Sequence, residues 1–155
     1  MGHWAKVVTS NVGIGTTLVD NVVDKVIVAD ASFFDTYSDP DGPGRWIETT
    51  KGMAGGILYN SDGTQASDQS GVGTMGYNYA GTGMLYDIEK HAFYDKAPFP
   101  SYTLNETKFQ WEPPIAYPSS GDWKWDEAAY QADNTKGWIE AVSYTHLTLP
   151  TILRV

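Results

Sequence analysis

Two apolar stretches near the start of the chain predict a pair of β-strands. They cover residues 5–12 and 18–29, with two glycines between them, which is the pattern of a β-hairpin or meander. In the second stretch, residues 22–28 are mostly β-branched and are interrupted by few charges. We therefore expect it to be a central, buried strand.

The polar residues that follow predict shorter elements. A short helical turn is expected over 31–36, a loop rich in Pro and Gly over 39–44, and a further strand over 45–50. Residues 51–83 then contain nine glycines and few aliphatic side chains. Such a stretch buries little apolar surface, so it is expected to be a long surface loop with one short strand at 56–60.

Residues 84–141 show a weak internal repeat with a period of about 20 residues, which suits an array of hairpins. In each unit an aromatic or apolar strand leads through an Asp or Asn to a second aromatic strand, and Asp87, Asn105 and Asp126 are the turn residues. Their side chains can accept hydrogen bonds from the backbone just after them. A lone hairpin is marginal in water, so aromatic stacking between hairpins is expected to hold the array together.

The composition supports this organisation. Aromatic residues make up 14% of the chain and charged residues 19%, and there are 16 Gly and 8 Pro. This balance favours short strands and turns over long amphipathic helices. The predicted fold class is all-β, or mainly β, with an N-terminal meander over 1–50, a Gly-rich loop region over 51–83 and aromatic hairpin repeats over 84–141.

The charge and the residue types that are missing exclude several classes of function. The formal net charge is −9, which argues against nucleic acid as a partner, because binding to phosphates needs many Lys and Arg side chains. The sequence contains no Cys, so disulfides and thiolate zinc sites are excluded. It shows neither an apolar run of about 18 residues nor a charged and apolar leader, so neither a membrane span nor a signal peptide is expected.

A glycine motif and the histidines give no argument for catalysis. Residues 71–76 match the dinucleotide fingerprint G-x-G-x-x-G, but that motif needs a buried strand before it and a helix after it, and a flexible loop is expected instead. His3, His91 and His146 have no metal-ligand or triad spacing. The many carboxylates are assigned to turns, so no catalytic residue, cofactor or metal ligand is predicted, and the chain is expected not to be an enzyme.

An acidic segment resembles half of a calcium-binding loop. Asp39, Asp41, Gly42 and Glu48 fall at positions 3, 5, 6 and 12 of an EF-hand loop, but position 1 is Tyr37. Two prolines stiffen the segment, and no flanking helices are expected. An acidic turn is therefore the preferred interpretation, and a weak calcium site is the alternative.

The aromatic residues are the best candidates for a binding surface. Trp123 and Trp125 lie two residues apart and would share one face of a strand. They form either the small core of a helix-poor domain or an exposed platform for sugar rings or a partner protein. The candidate surface consists of Trp123, Trp125, Trp138, Trp111 and Tyr102.

The end of the chain differs in character from the rest. Residues 142–155 resemble the translated sequencing-adapter ending that recurs on unrelated environmental gene products. We interpret this tail as non-native and set it aside in the fold prediction. The alternative is a genuine C-terminal strand.

Several short motifs resemble one family of proteins. They are Tyr-Asn-Tyr-Ala-Gly at 77–81, Pro-Phe-Pro-Ser-Tyr-Thr-Leu-Asn-Glu-Thr at 98–107 and Trp-Glu-Pro-Pro-Ile-Ala-Tyr-Pro at 111–118. In these the chain is similar to a family of small proteins of marine tailed bacteriophages, cyanophages among them. It departs from the family pattern at 10–20 and 83–85. The resemblance implies a phage origin and brings no activity or catalytic residue with it.

The resemblance implies a bacteriophage protein, and the absence of any catalytic pattern predicts that it is non-enzymatic. The function expected from both is that of a virion-associated accessory or interaction protein. Its expected partners are other phage structural proteins, and its expected location is the virion, or the host cytoplasm during infection. The alternative is a carbohydrate-binding module that recognises host surface glycans through exposed Trp and Tyr. A third class, a small hydrolase, is kept open only by the abundance of carboxylates.

Overall fold

The computed structural model describes residues 1–10 and 20–141. The predicted non-native tail at 142–155 lies outside the described residues, as does most of the connection between the first two strands.

The chain forms two compact units, and each is discontinuous in sequence. Of the described residues, the first unit contains 1–10, 20–98 and 104–111, and the second contains 99–103 and 112–141. The division therefore falls inside the segment over which hairpin repeats were expected.

The prediction of a mainly β fold is confirmed. In chain order the strands are β1 (Gly2–Ser10), β2 (Asp20–Ala29), β3 (Arg45–Thr49), β4 (Met53–Ala54), β5 (Ile57–Leu58), β6 (Leu85–Asp87), β7 (Ala92–Tyr94), β8 (Thr103–Asn105), β9 (Gln110–Glu112), β10 (Trp123–Trp125) and β11 (Trp138–Glu140). The helices are a 3-10 helix (Ala31–Asp35), α1 (Val72–Met75) and α2 (Glu127–Ala132). The helical turn after Asp30, the loop over 39–44 and the strand that follows it are found where the sequence predicts them.

The main sheet has five antiparallel strands in the order β3-β1-β2-β6-β7. Strand β2 is central, as expected, but the expectation that it is buried is wrong for most of its length. Only Val23 and Ala29 are buried, and Val28 is 56% exposed. The reason is that β6 and the residues just before it pair with β2 only over 21–23. Residues 24–29 therefore have one described neighbouring strand, and their side chains alternate between two incompletely covered faces.

One face of the sheet carries the core of the first unit. Ala5 and Val7 from β1, Val23 from β2 and the rings of Tyr86 and Phe93 form one buried cluster. The alternation of side chains along β1 places Ala5 and Val7 on the same face, which explains why the apolar pattern of this strand survives in the fold.

The opposite face is covered by the segment that follows β2. Phe34 of the 3-10 helix packs between Trp4 and Trp46, with ring centroids 5.0 and 4.9 Å away. The loop after the helix buries Lys6, whose side chain is 1% exposed. A single layer of loop thus replaces the second sheet or helix that would normally cover this face.

The Gly-rich region contributes more to the core than the sequence suggests. The expected strand at 56–60 is present as β5, paired with β4, but Met53 and Ala80 are buried, so the expectation of a loop that buries little is wrong. Gly76 explains why glycine is needed here. Its φ is +88°, and a Cβ at this position would overlap the ring of Phe93, so only glycine lets the chain pass so close to the core.

The turns of the first two predicted repeats are confirmed. In the β6–β7 hairpin the Oδ1 of Asp87 accepts hydrogen bonds from two backbone N–H groups after it, at 2.9 and 3.0 Å. In the β8–β9 hairpin the Oδ1 of Asn105 accepts from Thr107 N–H at 2.9 Å. Each turn ends on a non-glycine residue with positive φ, His91 at +55° and Phe109 at +53°. The two hairpins are therefore close copies, although the first of them is part of the main sheet.

The third predicted repeat is confirmed in its two paired strands, but its predicted turn is wrong. Asp126 does not turn a hairpin but caps α2, and its Oδ1 accepts a hydrogen bond from Ala129 N–H at 3.0 Å. Strands β10 and β11 pair across this helix. The segment Asp-Glu-Ala-Ala-Tyr-Gln-Ala has the signals of a helix start, since an N-cap Asp precedes Glu and several good helix formers.

Candidate binding surfaces

The aromatic residues of the second unit pack edge to face around Trp125. Trp125 lies directly opposite Trp138 in the β10–β11 pair, and their ring centroids are 5.1 Å apart at an interplanar angle of 76°. Tyr102 meets Trp125 at 5.5 Å and 79°. Trp125 is buried and the other two rings are half-buried. Three of the five candidate residues thus form a small aromatic core, and neither of these ring pairs is coplanar.

Glu127 holds this aromatic core in place by hydrogen bonds. Its carboxylate accepts hydrogen bonds from Ser101 Oγ at 2.6 Å, from Trp125 Nε1 at 2.8 Å and from Gln131 Nε2 at 2.8 Å. Desolvation opposes ionisation of this group, but the hydrogen bonds from Ser101, Trp125 and Gln131 outweigh it and lower the pKa of Glu127. Glu127 is therefore an ionised acceptor at neutral pH that holds the chain segments together.

The remaining tryptophan of this unit is also fixed by hydrogen bonds. Trp123 donates from Nε1 to the carbonyl of Ser120 at 2.7 Å, and its backbone N–H donates to Tyr117 Oη at 3.0 Å. The ring of Tyr117 lies edge-on to that of Trp138 at 5.0 Å. Trp138 Nε1 donates to the carbonyl of Ile115 at 2.8 Å. The indole N–H groups are thus used within the unit, and ring faces remain for contact with a ligand.

Trp123 and Trp138 line an apolar cleft of about 490 Å³, which we call the C-terminal cleft. Its walls include Ile115, Ala116, Pro118, Trp123, Trp138 and Ile139. The volume lies within the about 300–1,000 Å³ that is usual for ligand sites. The lining is dominated by carbon atoms, so the cleft suits an apolar side chain or a short apolar segment.

Trp111, the fifth candidate residue, belongs to the first unit and lies in a different site. Its Nε1 donates a hydrogen bond to the carbonyl of Asp95 at 2.7 Å. With Tyr79, Asp95, Lys96 and Gln110 it lines a groove of about 690 Å³, to which the buried Met53 and Phe109 also contribute. We call this the Trp111 groove. Unlike the C-terminal cleft, it combines aromatic rings with exposed charged and amide side chains.

Asn78 organises the segments around this groove, and the sequence did not identify it as important. Its Oδ1 accepts from Gly55 N–H at 2.9 Å, and its Nδ2 donates to the carbonyls of Phe93 at 2.9 Å and Phe109 at 3.0 Å. One amide thereby joins three segments that are distant in sequence. A single Asn between two tyrosines in a Gly-rich stretch was the only available signal.

The acidic segment forms ion pairs with lysines, which supports the acidic turn over the calcium site. Lys6 Nζ contacts Asp39 Oδ2 at 2.8 Å, and Lys25 Nζ contacts Asp41 Oδ2 at 2.6 Å. Lys6, with help from the Asp41 backbone N–H and Lys25, holds the pKa of Asp39 well below its usual range. Hydrogen bonds that Lys25 Nζ donates to the carboxylates of Asp41 and Asp39 raise the pKa of Lys25. Within residues 1–10 and 20–141, no group of three His, Asp or Glu residues has the geometry of a metal site.

The glycine motif and the histidines form no catalytic or cofactor site among the described residues. The expectation of a flexible loop at the G-x-G-x-x-G match is wrong, because residues 72–75 within the match form α1. This helix of four residues is too short to bind a pyrophosphate at its N-terminus. His3 lies edge-on to Tyr79 at 5.7 Å, and His91 Nδ1 lies 3.2 Å from Tyr86 Oη. His146 lies outside the described residues. Each of the two described histidines therefore contacts a tyrosine, and the two histidines have different partners.

The part of the chain that the structure describes contains no helix long and apolar enough to cross a bilayer. No protein-family model, curated protein or solved structure matches the chain.

Proposed function

We propose that the chain is a non-enzymatic bacteriophage protein that attaches to the virion, and that it binds another virion protein through the C-terminal cleft. The observation that carries this proposal is the cleft itself, an open apolar site between fixed tryptophans. The phage origin is supported by the motifs at 77–81, 98–107 and 111–118.

The rigidity of the cleft favours a binding role. Hydrogen bonds fix both Trp123 and Trp138, and Trp138 is also packed against Trp125 and Tyr117. A site whose side chains are already ordered loses little conformational entropy when a partner binds. Tryptophans in such positions often supply much of the binding energy at protein interfaces.

The surrounding charge indicates the chemistry of the partner. Residues 112–141 contain six acidic and two basic side chains. One of the two basic side chains, Lys136, lines the cleft, so the attraction of a basic partner comes from the net acidic charge of the segment and not from the cleft walls. A partner with aliphatic side chains for the cleft, an acidic group beside Lys136 and Lys or Arg further out would therefore be attracted, and its association should slow as salt increases.

The proposal is tested by quantitative mass spectrometry of gradient-purified particles of the phage that encodes the protein. We expect a fixed copy number in every particle. A phage carrying Ala116→Arg places a bulky charge in the cleft at an exposed position, and this variant should be lost from particles while remaining in the lysate.

Ala128→Arg is the matched control, because Ala128 is exposed on α2 and does not line the cleft. This variant should be incorporated normally. Wild-type protein found only in the infected-cell lysate would contradict the virion assignment. Equal incorporation of the two Arg variants would contradict the role of the cleft.

The alternative of a glycan platform made by Trp123, Trp125 and Trp138 receives less support from the geometry. Trp125 is buried, and its ring is nearly perpendicular to that of Trp138. A sugar ring packs best against an accessible flat aromatic face, and Trp125 and Trp138 do not form a coplanar exposed pair of that kind.

A further inference from the structure

We infer that the Trp111 groove of the first unit binds a neutral sugar ring. This site is separate in sequence and composition from the C-terminal cleft, and the inference does not depend on the virion proposal. Its basis is the combination of a fixed aromatic face, a polar rim of balanced charge and a preformed framework.

Two aromatic side chains of the groove are held in place by contacts within the first unit. Trp111 is half-buried, and its only polar atom, Nε1, donates to the carbonyl of Asp95 at 2.7 Å. Tyr79 is also half-buried and is held edge-on against His3. An oriented indole beside a second ring offers the apolar surface that the C–H face of a sugar would cover.

The rim of the groove selects against fully apolar and against charged ligands. Asp95, Lys96 and Gln110 are all exposed and line it. An apolar ligand would remove water from these groups without replacing its hydrogen bonds, which is unfavourable. An anionic ligand would meet one ammonium group next to a carboxylate, so it gains little net attraction.

Sugar hydroxyls match this rim because each of them both donates and accepts. They can donate to the Asp95 carboxylate, accept from the Lys96 ammonium and do both with the Gln110 amide. With one acidic and one basic side chain, the charges lining the groove cancel. A neutral, hydroxyl-rich ring with one apolar face is therefore the ligand class that satisfies every part of the site.

The framework of the groove is preformed. Asn78 ties Gly55, Phe93 and Phe109 together by hydrogen bonds. Phe109 lines the groove with a φ of +53°, and a non-glycine residue in this region persists only when its surroundings hold it there. The groove volume of about 690 Å³ is within the usual range for small-molecule sites.

The test is a titration of the ¹⁵N-labelled full chain with neutral disaccharides of glucose, N-acetylglucosamine, galactose and mannose. The Trp111 indole N–H signal reports on the groove by NMR. We expect at least one disaccharide to shift this signal saturably. Trp111→Ala lacks this reporter, so its affinity is measured beside that of the wild type by isothermal titration calorimetry. It should bind the same disaccharide at least about tenfold more weakly, which corresponds to about 1.4 kcal/mol.

Asp95→Ala is a second groove variant, for use if Trp111→Ala folds poorly. The Asp95 side chain is exposed, and the variant keeps both the Trp111 indole and the backbone carbonyl of residue 95 that accepts its hydrogen bond. It should weaken binding, whereas Ala116→Arg in the C-terminal cleft should bind the sugar like wild type. The inference is overturned if no disaccharide gives a saturable shift, or if both groove variants bind as well as wild type. It is also overturned if a proline-rich peptide shifts the Trp111 signal and the sugars do not.

Discussion

Replacing Asn78 should be among the most destabilising polar substitutions in the chain. Asn78→Ala leaves the N–H of Gly55 and the carbonyls of Phe93 and Phe109 without their side-chain partner. Each such group costs about 1–3 kcal/mol when it is buried and unpaired. The site is partly buried, so water replaces some of the lost bonds and the lower limit applies to each group. The expected loss is about 3 kcal/mol of unfolding free energy, a large share of the about 5–15 kcal/mol typical of a domain.

The assay is equilibrium denaturation in urea, combined with amide exchange of the Gly55 N–H. Asn60→Ala is the matched control, because the Asn60 amide makes one exposed hydrogen bond, to Thr64 Oγ1 at 3.0 Å. It should cost less than about 1 kcal/mol. Asn78→Asp should be worse than Asn78→Ala at neutral pH, since a carboxylate oxygen would then face two carbonyls. The reasoning is refuted if Asn78→Ala costs no more than the control, or if the Asp variant is the milder of the two.

Three further outcomes are expected. Phe93→Ala, at a fully buried ring, should cost about 3–5 kcal/mol in urea denaturation, and Phe33→Ala, at an exposed ring, should cost clearly less; equal costs would contradict the assigned core. Asp39→Asn should lower the denaturation midpoint most above about pH 4, because the lysine partners hold the pKa of Asp39 below its unfolded value. The difference in midpoint from wild type should shrink as the pH falls further. A difference that stays constant down to strong acid would argue against the ion pairs. Gly137→Ala should cost about 1–3 kcal/mol by overpacking the indole above it, whereas Gly73→Ala, where a Cβ meets open space, should be nearly neutral in the same measurement.

Features set by neighbouring residues could be predicted from the sequence. The turn at Asp87 depends on a side chain bonding to the backbone just after it, and the first two strands follow from their own apolar pattern. The helix α2 could also have been predicted from the sequence, since Asp126 followed by Glu127 and alanines is the pattern of a helix N-terminus. Its misassignment came from extending the hairpin repeat to a third copy.

Features that depend on distant residues were beyond the sequence. Lys6 and Asp39 are 33 positions apart, and nothing in either segment indicates that they meet. The same applies to Asn78, whose partner Phe109 lies 31 positions later. The pairing of β6 with the start of β2 likewise had no local signal. Among the five candidate residues, the aromatic pattern identified useful side chains, but only tertiary packing decides that Trp125 is buried and that Trp111 lines a separate groove.

The interleaving of the two units in sequence affects how the chain acquires its structure during synthesis. Asn78 leaves the ribosome 31 residues before Phe109, which is about 2–6 s at the usual rate of about 5–20 residues per second. Throughout that interval the first unit is missing the β8–β9 turn that completes it. Residues 99–103 in turn wait for Glu127, which Ser101 contacts. Neither unit therefore corresponds to one continuous stretch of the gene, and any fragment that ends between residues 103 and 112 divides the β8–β9 hairpin.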